Sequence, residues 1–437
     1  ETTLAQIISM VKQAQTSKPE IGRLVDKIAL VFVPLVIFIA LTTSIIWYFF
    51  GPQPQLAYAL TTGIAVLVIA CPCALGLATP IAIMMGTAKA AEFNILVKNS
   101  DALQSASSLT HLVVDKTGTL TLGQPVVTDM IVEDMEDFNS AGLSRENSLL
   151  QLAASLENKS EHALAQAIVI HAQERELELL PVRQFQAVQG RGVQGEINDK
   201  PVILGNARFM QENGVLLSTN LQQQAQEFAS SASTVVWLAR EGRLLGFMAL
   251  QDPVRDDTPE AISKLVNNGI TLVMCTGDNQ FTANAVSHAL GIREVHSEVL
   301  PEEKLNLVKS LQSKGHRVGM VGDGVNDAPA LAQANTGFAI GSGTDVAIEN
   351  SDITLAGNSL MSVSTAIGVS KATITNIKQN LFGAFIYNII GIPLAAGVFY
   401  PFTGWLLAPA FASAAMAMSS VTVVANANRL RFFKDTD

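Results

Sequence analysis

In Asp115-Lys116-Thr117-Gly118-Thr119-Leu120-Thr121 an aspartate ends the apolar run His111-Leu112-Val113-Val114 and opens a turn of small and hydroxyl residues. A carboxylate at a strand end, beside free backbone N–H groups, is placed to attack a γ-phosphate as a covalent nucleophile. Thr276-Gly277-Asp278 and Gly322-Asp323-Gly324-Val325-Asn326-Asp327 follow two similar runs, Thr271-Leu272-Val273-Met274 and Val318-Gly319-Met320-Val321. In an open parallel sheet ligands bind beyond the carboxyl ends of the strands, so the three turns can converge on one site. A second chemistry is carried by Cys71-Pro72-Cys73, inside a long apolar stretch. Two residues apart on a regular helix point about 200° away from each other, so the sulfurs could not meet. Proline removes a backbone hydrogen bond and clashes with the preceding turn, opening the helix, and broken helices in transporters commonly form ion sites near mid-membrane. Two thiolates make a soft site that suits Cu(I) or Ag(I), with Zn²⁺ and Cd²⁺ also within its range.

These residues need both a membrane and a soluble scaffold. Only 15% of the 437 residues are charged and the mean hydropathy is above zero, which puts part of the chain in lipid. No Asp, Glu, Lys or Arg occurs from Ile28 to Ala88 or from Gln379 to Asn428. A hydrocarbon core takes about 20 apolar residues per helix. Gly51-Pro52-Gln53-Pro54 and Tyr400-Pro401-Phe402-Thr403-Gly404 interrupt the two windows, so four spanning helices are expected, the first near Ile28 to Phe50 and the second near Leu56 to Met84. Arg23, Lys27, Lys89, Lys98, Lys371, Lys378, Arg429, Arg431 and Lys434 flank the windows, while the turns between helices carry no charge. By the positive-inside rule both termini and the large middle region are cytosolic. That region, about Asn94 to Ile367, reads as soluble α/β. Between Gln124 and Gln251 the pattern changes to helices rich in Gln, Glu and Ala and to alternating strands, the pattern of an inserted second domain.

The net charge of −10 has no basic stripe to accompany it, which argues against nucleic acid as a partner. Three cysteines cannot form a fully paired framework, and Cys71 and Cys73 are expected as reduced thiols. Cys275, on a soluble strand, is expected to be a small core residue. The N-terminus has neither a signal peptide nor an initiator Met, so the chain is expected to be a piece of something longer.

The Asp115 motif resembles the phosphorylation motif of the P-type ATPases, which share a core fold with haloacid dehalogenase-like phosphatases. Related soluble phosphatases usually carry a second Asp two residues after the nucleophile, as the acid/base that hydrolyses the acyl phosphate. Thr117 stands there, so a persistent phosphoenzyme is expected. The resemblance continues in family order through Thr276-Gly277-Asp278, through Lys304 in Leu300-Pro301-Glu302-Glu303-Lys304, and through Asp323, Asn326 and Asp327. It implies that Asp115 is phosphorylated and that Lys116, Thr117, Thr276, Gly277, Asp278, Lys304, Asn326 and Asp327 complete the catalytic site. It also implies Mg²⁺ bound through Asp115, Thr117 and Asp323, an ion that takes hard oxygen ligands and bridges phosphate. Glu157-Asn158-Lys159-Ser160-Glu161-His162, Gly190-Arg191-Gly192 and Gly205-Asn206 resemble the nucleotide site of the heavy-metal branch of that family. This implies ATP binding by Glu157, Glu161, His162, Gly190, Gly192, Gly205 and Asn206, with Glu and His recognising adenine. The family usually has Pro after the His, and this chain has Ala163; the Pro shapes the turn, whereas the His ring contacts the base.

Tyr387-Asn388 lies in the third expected helix and Met416-Ala417-Met418-Ser419-Ser420 in the fourth, where Met416, Ser419 and Ser420 share a face. With Cys71-Pro72-Cys73 these resemble the copper(I)-type pattern of Cys-Pro-Cys, Tyr-Asn and Met-x-x-Ser-Ser. The resemblance implies a Cu(I) path formed by Cys71, Cys73, Tyr387, Asn388, Met416 and Ser419. Zinc-type relatives tend to place a Lys and an Asp in these helices, and neither window holds a charge. Softness alone does not separate Ag(I) from Cu(I).

The expected architecture is a membrane α-helical part of four spanning helices plus an α/β haloacid dehalogenase-like phosphorylation domain with an inserted α+β nucleotide-binding domain. Residues 1–27 would be a linker from an actuator domain, 28–93 two transmembrane helices with Cys-Pro-Cys, and 94–123 the first part of the phosphorylation domain. Residues 124–251 would bind nucleotide, 252–370 would complete the phosphorylation domain, and 371–437 would form two transmembrane helices and a cytosolic tail. The expected function is ATP-driven export of copper(I) through an aspartyl phosphate, with Mg²⁺ and ATP as cofactors. The resemblance further implies delivery of copper(I) by a chaperone and a place in a bacterial plasma (inner) membrane, in contact with lipid, with the soluble domains in the cytosol. It covers about Thr3 to Phe433. The sequence shows no Thr-Gly-Glu actuator loop and no Cys-x-x-Cys module, so N-terminal actuator and metal-binding domains of the same protein are expected as partners. The alternatives are a silver(I) or zinc/cadmium pump and a membrane metal sensor with a degenerate ATPase domain. Intact Asp115, Lys304, Asp323 and Asp327 oppose the sensor, and the four helices and Thr117 oppose a soluble phosphatase.

Overall fold

The computed structural model describes residues 20–133, 143–160, 163–188, 190–231, 233–278, 280–322, 327–341, 345–357 and 359–435. Most of the expected linker, and Glu161, His162, Asp323 and Asn326, lie outside the described residues. Two compact units are present, one of Glu1–Thr110, Lys309–Met320 and Ala328–Asp437, the other of His111–Val308 and Val321–Asp327.

The first unit contains the long apolar helices: α1 (Glu20–Phe50), α2 (Gln55–Ile69), α3 (Leu75–Glu92), α4 (Leu360–Ala395) and α5 (Pro409–Asn428). The single helix expected from Leu56 to Met84 is two, because Pro72 cannot donate to a preceding carbonyl. Across the break Cys73 N donates to Cys71 O at 2.9 Å and Leu75 N to Pro72 O at 3.0 Å, a tight turn in place of a helical one. Helix α4 also departs from expectation. It begins at Leu360, and its 36 residues include Lys371 and Lys378. Among the described residues two helices, Ile21–Phe50 and Pro409–Phe432, are long and apolar enough to cross a membrane, and α2 is shorter at 15 residues. At one end of the helices Trp47 Nε1 donates to Ala396 O at 2.9 Å and its ring stacks on Tyr58 and meets Tyr400 edge-on. This unit also holds strand Ile353–Leu355, antiparallel to Ile95–Val97 on one side and parallel to Thr336–Ile340 on the other.

In the second unit β1 (His111–Asp115), β2 (Thr271–Cys275) and β3 (Glu294–His296) lie parallel, with Asp115 opposite Cys275 and Cys275 opposite His296. Between β1 and β2 in sequence stands a six-stranded antiparallel sheet, in the order Val126–Val132, Arg243–Gln251, Thr234–Arg240, Lys200–Gly205, Gly192–Ile197, Val182–Val188. Its side chains alternate as a pleated strand requires. Leu238, Met248 and Leu250 join the core beneath helices Arg145–Glu157 and Ala163–Glu174. Trp237, Ala239 and Phe247, their neighbours in sequence, join a second core with Phe209, Met210 and Leu221. The first and last strands of the stretch pair with each other, Val126 opposite Gln251. The two chain crossings are tied together there. Asp252 Oδ2 accepts from Thr121 Oγ1 at 2.6 Å, and Leu122 N donates to Pro253 O at 2.9 Å.

Candidate functional site

Asp115 ends β1 with its carboxyl buried, and the chain then turns sharply through Lys116–Leu120. Gly118 adopts φ 75°, a left-handed conformation that a side chain would disfavour. The turn is closed by Thr121 N, which donates to Lys116 O at 3.1 Å, and held by Arg255 Nη2, which donates to Gly118 O at 3.2 Å. Lys304, on helix Pro301–Ser313, places Nζ 2.9 Å from Asp115 Oδ1 and 2.7 Å from Asp327 Oδ1. Burial by itself would lower the ammonium's pKa. The carboxylates of Asp115 and then Asp327 outweigh it and hold Lys304 above its ordinary value, so it stays protonated at neutral pH. Asp327 is buried, and Gly322 makes room for it, since a Cβ there would meet the Asp327 carboxylate within 2.7 Å. Thr276 is buried at the end of β2 and its Oγ1 accepts from Asp278 N at 3.1 Å, while Lys116 pairs with Asp278. Gly277 stands between them with room for a Cβ, so its identity is not set by crowding.

The structure thus gathers Asp115, Lys116, Thr276, Gly277, Asp278, Lys304 and Asp327 around one turn in one unit, with Thr117 in the turn itself. Asp115 and Asp327 supply hard carboxylate oxygens within reach of the same ammonium, and that donor chemistry fits Mg²⁺. Cys275 is a free buried thiol beside Asp115 in the sheet register. Burial pushes it up to about 12, partly opposed by Lys304, so it remains a neutral core side chain.

The residues expected to bind nucleotide fall into two groups. Glu157 ends helix Arg145–Glu157, buried, with Oε2 lacking a hydrogen-bond partner among the described residues. Burial pushes its pKa up to about 7, opposed by a hydrogen bond from Ser160. Such an orphaned acceptor suits an amino donor from outside the protein. Gly192 and Gly205 face each other across adjacent strands, and a Cβ on Gly192 would lie 2.6 Å from Gly205 Cα. Their identity is therefore already required by the strand contact. Asn206 accepts from Phe209 N at 2.9 Å as the cap of helix Ala207–Glu212 and donates to Gly190 O at 3.0 Å, tying the Gly190 turn to that helix.

The Glu157 shift has a testable consequence. Because the folded state holds the proton more tightly than the unfolded chain, the penalty is fully present above about pH 7 and gone below the ordinary value near 4.5. Stability contributed by this group falls as pH rises between those limits. Glu157→Gln is expected to stabilise the protein by roughly 1–3 kcal/mol near pH 8 and by little near pH 5. Thermal melts at the two pH values check this, and equal shifts at both would refute it.

In the first unit the break between α2 and α3 brings Cys71 and Cys73 together. The structure pairs them as a disulfide, with Cα atoms 5.5 Å apart, where reduced thiols were expected, and only the reduced pair offers two thiolates to an ion. The turn at Pro72 is the reason, since it converges two side chains that a continuous helix would direct apart. Both cysteines line an open cavity of about 690 Å³, together with Met416, Ser413 and Ser420 of α5. Asn388 reaches a small adjoining void with Pro72 and Met416. Its Oδ1 is buried without a hydrogen-bond partner among the described residues, as is Ser419 Oγ. Tyr387 precedes Asn388 on α4. Its hydroxyl lies 3.5 Å from Thr422 Oγ1, and it is not among the residues that line the cavity. Ser413 was missed, although its spacing of three from Met416 and seven from Ser420 puts all of them on one face. Among the described residues no three His, Cys, Asp or Glu cluster to hold a metal ion. A site here would draw on methionine sulfur and neutral oxygens beside the cysteines.

A sequence profile described as haloacid dehalogenase-like hydrolase matches residues 109–335. A copper-exporting P-type ATPase of Vibrio cholerae is 49% identical over 99% of this chain and 46% of its own length. A silver-exporting P-type ATPase of Salmonella typhimurium is 47% identical over 99% of this chain and 51% of its own length. The chain spans about half the length of these curated relatives. The crystal structure of a zinc-transporting PIB-type ATPase in the E2.Pi state superposes with a TM-score of 0.76 at 34% identity, covering 98% of this chain and 67% of that one.

Proposed function

The chain belongs to the P-type ATPases, on a haloacid dehalogenase-like hydrolase core, and from that premise we propose that it is the phosphorylated and ion-conducting portion of an ATP-driven copper(I) exporter. The observation that carries the catalytic half is the buried Asp115–Lys304–Asp327 cluster. Asp115 attacks the γ-phosphorus of ATP, the bond to the β-bridging oxygen breaks, and ADP leaves. Lys304 neutralises the transferred phosphoryl group, Thr276 and the turn N–H groups receive its oxygens, and Lys116 with Asp278 shapes the turn. Mg²⁺, held by Asp115, Thr117 and Asp323, would supply charge neutralisation on the phosphates. Nucleotide is bound by Glu157, Glu161, His162, Gly190, Gly192, Gly205 and Asn206. Asn326 and Asp327 close the phosphate site. Thr117, where a soluble phosphatase carries its acid/base, lets the aspartyl phosphate last long enough to be coupled to transport.

In the ion-conducting half, Cys71, Cys73 and Met416 give soft sulfur, and Asn388 and Ser419 give neutral oxygen in apolar surroundings. Tyr387 borders this path through α4. We assign four spanning segments: α1, the α2–α3 pair taken across its break, the second half of α4, and α5. Strongly exposed Leu30, Phe38, Phe50, Phe382 and Phe411 support lipid around them. The charge-flanked windows support cytosolic soluble domains in a bacterial plasma membrane. Copper(I) is delivered by a chaperone, and actuator and metal-binding domains act with this portion in the whole pump.

The copper(I) reading predicts that phosphoenzyme formation from ATP in the full-length pump is stimulated by Cu(I) and Ag(I) and little by Zn(II). The check is labelled ATP under reducing conditions across the three ions. Stronger stimulation by Zn(II) than by Cu(I) would overturn it. The silver-exporting relative makes the Ag(I) arm informative, since a soft donor set without carboxylates does not separate the two monocations.

A further inference from the structure

A break in a helix leaves backbone carbonyls without their usual partners, and a buried carbonyl needs one. Asn388 of α4 donates from Nδ2 to Ala70 O at 3.3 Å, and Asn380 donates from Nδ2 to Ala78 O at 3.4 Å. Ala70 caps α2 just before the break, where its carbonyl is freed, whereas Ala78 lies in the first turn of α3, where the carbonyl already belongs to the helical ladder and the Asn380 bond is an added one from α4. The sequence spacings match: eight residues separate 380 from 388 on α4 and 70 from 78 across the break, and the pairs run in opposite order, so α4 is antiparallel to the broken helix. Midway between them Ala384 packs in one cluster with Ala74 and Ala78, so methyl-sized side chains let the helices approach. Residues 380, 384 and 388 form a single face at successive i, i+4 steps. Asn380 and Asn388 are each only 2% exposed.

The orientation of Asn380 is fixed by a chain of donors. Arg429 Nη1 can only donate, and it donates to Asn426 Oδ1 at 3.1 Å. Asn426 therefore presents Nδ2 to Asn380 Oδ1, at 2.9 Å. Asn380 is left with Nδ2 facing Ala78 O, and the same nitrogen reaches Asn376 Oδ1 at 3.0 Å.

We propose that Asn380 and Asn388 splint the broken helix across Cys71-Pro72-Cys73, clamping α2 and α3 at a fixed separation on α4 so that the two sulfurs meet the ion as a preformed pair. This rests on the metal-site reading above. Asn380 is a positioning residue. It lies about 12 Å of helix rise from Asn388 and does not line the cavity at the cysteines. A carboxamide buried in apolar surroundings is costly unless bonded, and here its two donor hydrogens are shared between Ala78 O on α3 and Asn376 Oδ1 on α4 itself.

The test measures Cu(I) affinity of the reduced full-length pump by competition with a chromophoric Cu(I) chelator, beside the Cu(I) dependence of phosphorylation from ATP. Asn380→Leu is expected to weaken Cu(I) binding about three- to tenfold, the range a net hydrogen bond gives. It should raise the Cu(I) needed for half-maximal phosphorylation by the same factor, with the maximal level and nucleotide affinity unchanged. Asn380→Gln keeps the donor and is expected to recover most of the affinity. Asn426→Ala removes the partner of Asn380 Oδ1 but keeps the Asn426 backbone carbonyl that accepts from Asn376, whose Oδ1 still takes the Asn380 donor, so it is expected to have less than half the effect. If Asn380→Leu is not recovered folded, as judged by nucleotide binding, Asn380→Ala replaces it with the same expectation. Wild-type Cu(I) affinity in the Asn380 variant, beside its loss in Cys71→Ser/Cys73→Ser, overturns the splint and leaves the metal site standing. An Asn426→Ala effect as large as that of Asn380→Leu, or no recovery with glutamine, also overturns it, since general packing would then explain the loss. Cu(I) binding retained in the double-cysteine variant overturns the metal site itself and the splint with it.

Discussion

Asp115→Asn is expected to abolish the acid-stable, hydroxylamine-sensitive label that the full-length pump takes from ATP. The carboxamide nearly matches the carboxylate in shape and still accepts from Lys304, so the 2.9 Å contact need not be lost. What is lost is the nucleophile. Removing the nucleophile from an enzyme that works through a covalent intermediate costs on the order of 10⁶-fold in rate, far below any measurable phosphoenzyme. Nucleotide affinity should change little, because the Gly192–Gly205 strand contact belongs to a different sheet of the same unit and Glu157 to a helix packed on that sheet. Lys304 loses one of the two carboxylates that hold its pKa up, but Asp327 at 2.7 Å remains, so the ammonium stays charged at neutral pH. The measurement is labelled ATP followed by acid quench and hydroxylamine, with nucleotide binding as the folding control. Label surviving in the asparagine variant would move the phosphorylated residue elsewhere.

What could be read from the sequence divides along local and non-local lines. The run ending at Asp115 is a buried strand, and Gly277-Asp278 follows the strand Thr271–Cys275, because an apolar run closed by a glycine turn is a local pattern. The opening of the helix at Pro72 is equally local, as proline's missing donor acts within one turn. Lys304 was legible from its motif, whereas the partner that shares it with Asp115 is set by Gly322, whose missing side chain makes room for the Asp327 carboxylate. Gly192 and Gly205 look the same in sequence whether they face a nucleotide or each other, and the strand pairing decides. Tyr387 was placed on the ion path by the Tyr-Asn pattern, and pattern alone does not say how far round α4, about 100° from Asn388, its side chain lies. The start of α4 at Leu360 was missed because its first half is buried among soluble elements and carries charge, so hydropathy gave no signal there. Asn380 was invisible for a similar reason. Its role depends on a carbonyl on another helix, and one asparagine in an apolar window does not reveal its partner.

Cys71→Ser/Cys73→Ser is expected to remove Cu(I)-dependent phosphorylation and transport while leaving nucleotide binding unchanged. Serine keeps the size of the side chain and the turn at Pro72, so the break between α2 and α3 should persist. Its hydroxyl is a hard oxygen, and a soft monocation held by sulfur gains little from it. Losing only a supporting partner of a metal ligand typically costs 10- to 100-fold in affinity, and replacing both thiolates should exceed that. Met416 and the oxygens of Asn388, Ser413 and Ser420 would remain around the cavity, which predicts weak residual binding without coupled turnover. Single substitutions should fall between wild type and the double variant, since each leaves one thiolate beside Met416. The decisive comparison is reduced full-length pump in sealed vesicles, with Cu(I) uptake and the Cu(I) dependence of the phosphoenzyme measured on the same preparation. Full transport by the double variant would show that the ion passes the membrane without the Cys-Pro-Cys pair, and the break would then need another purpose.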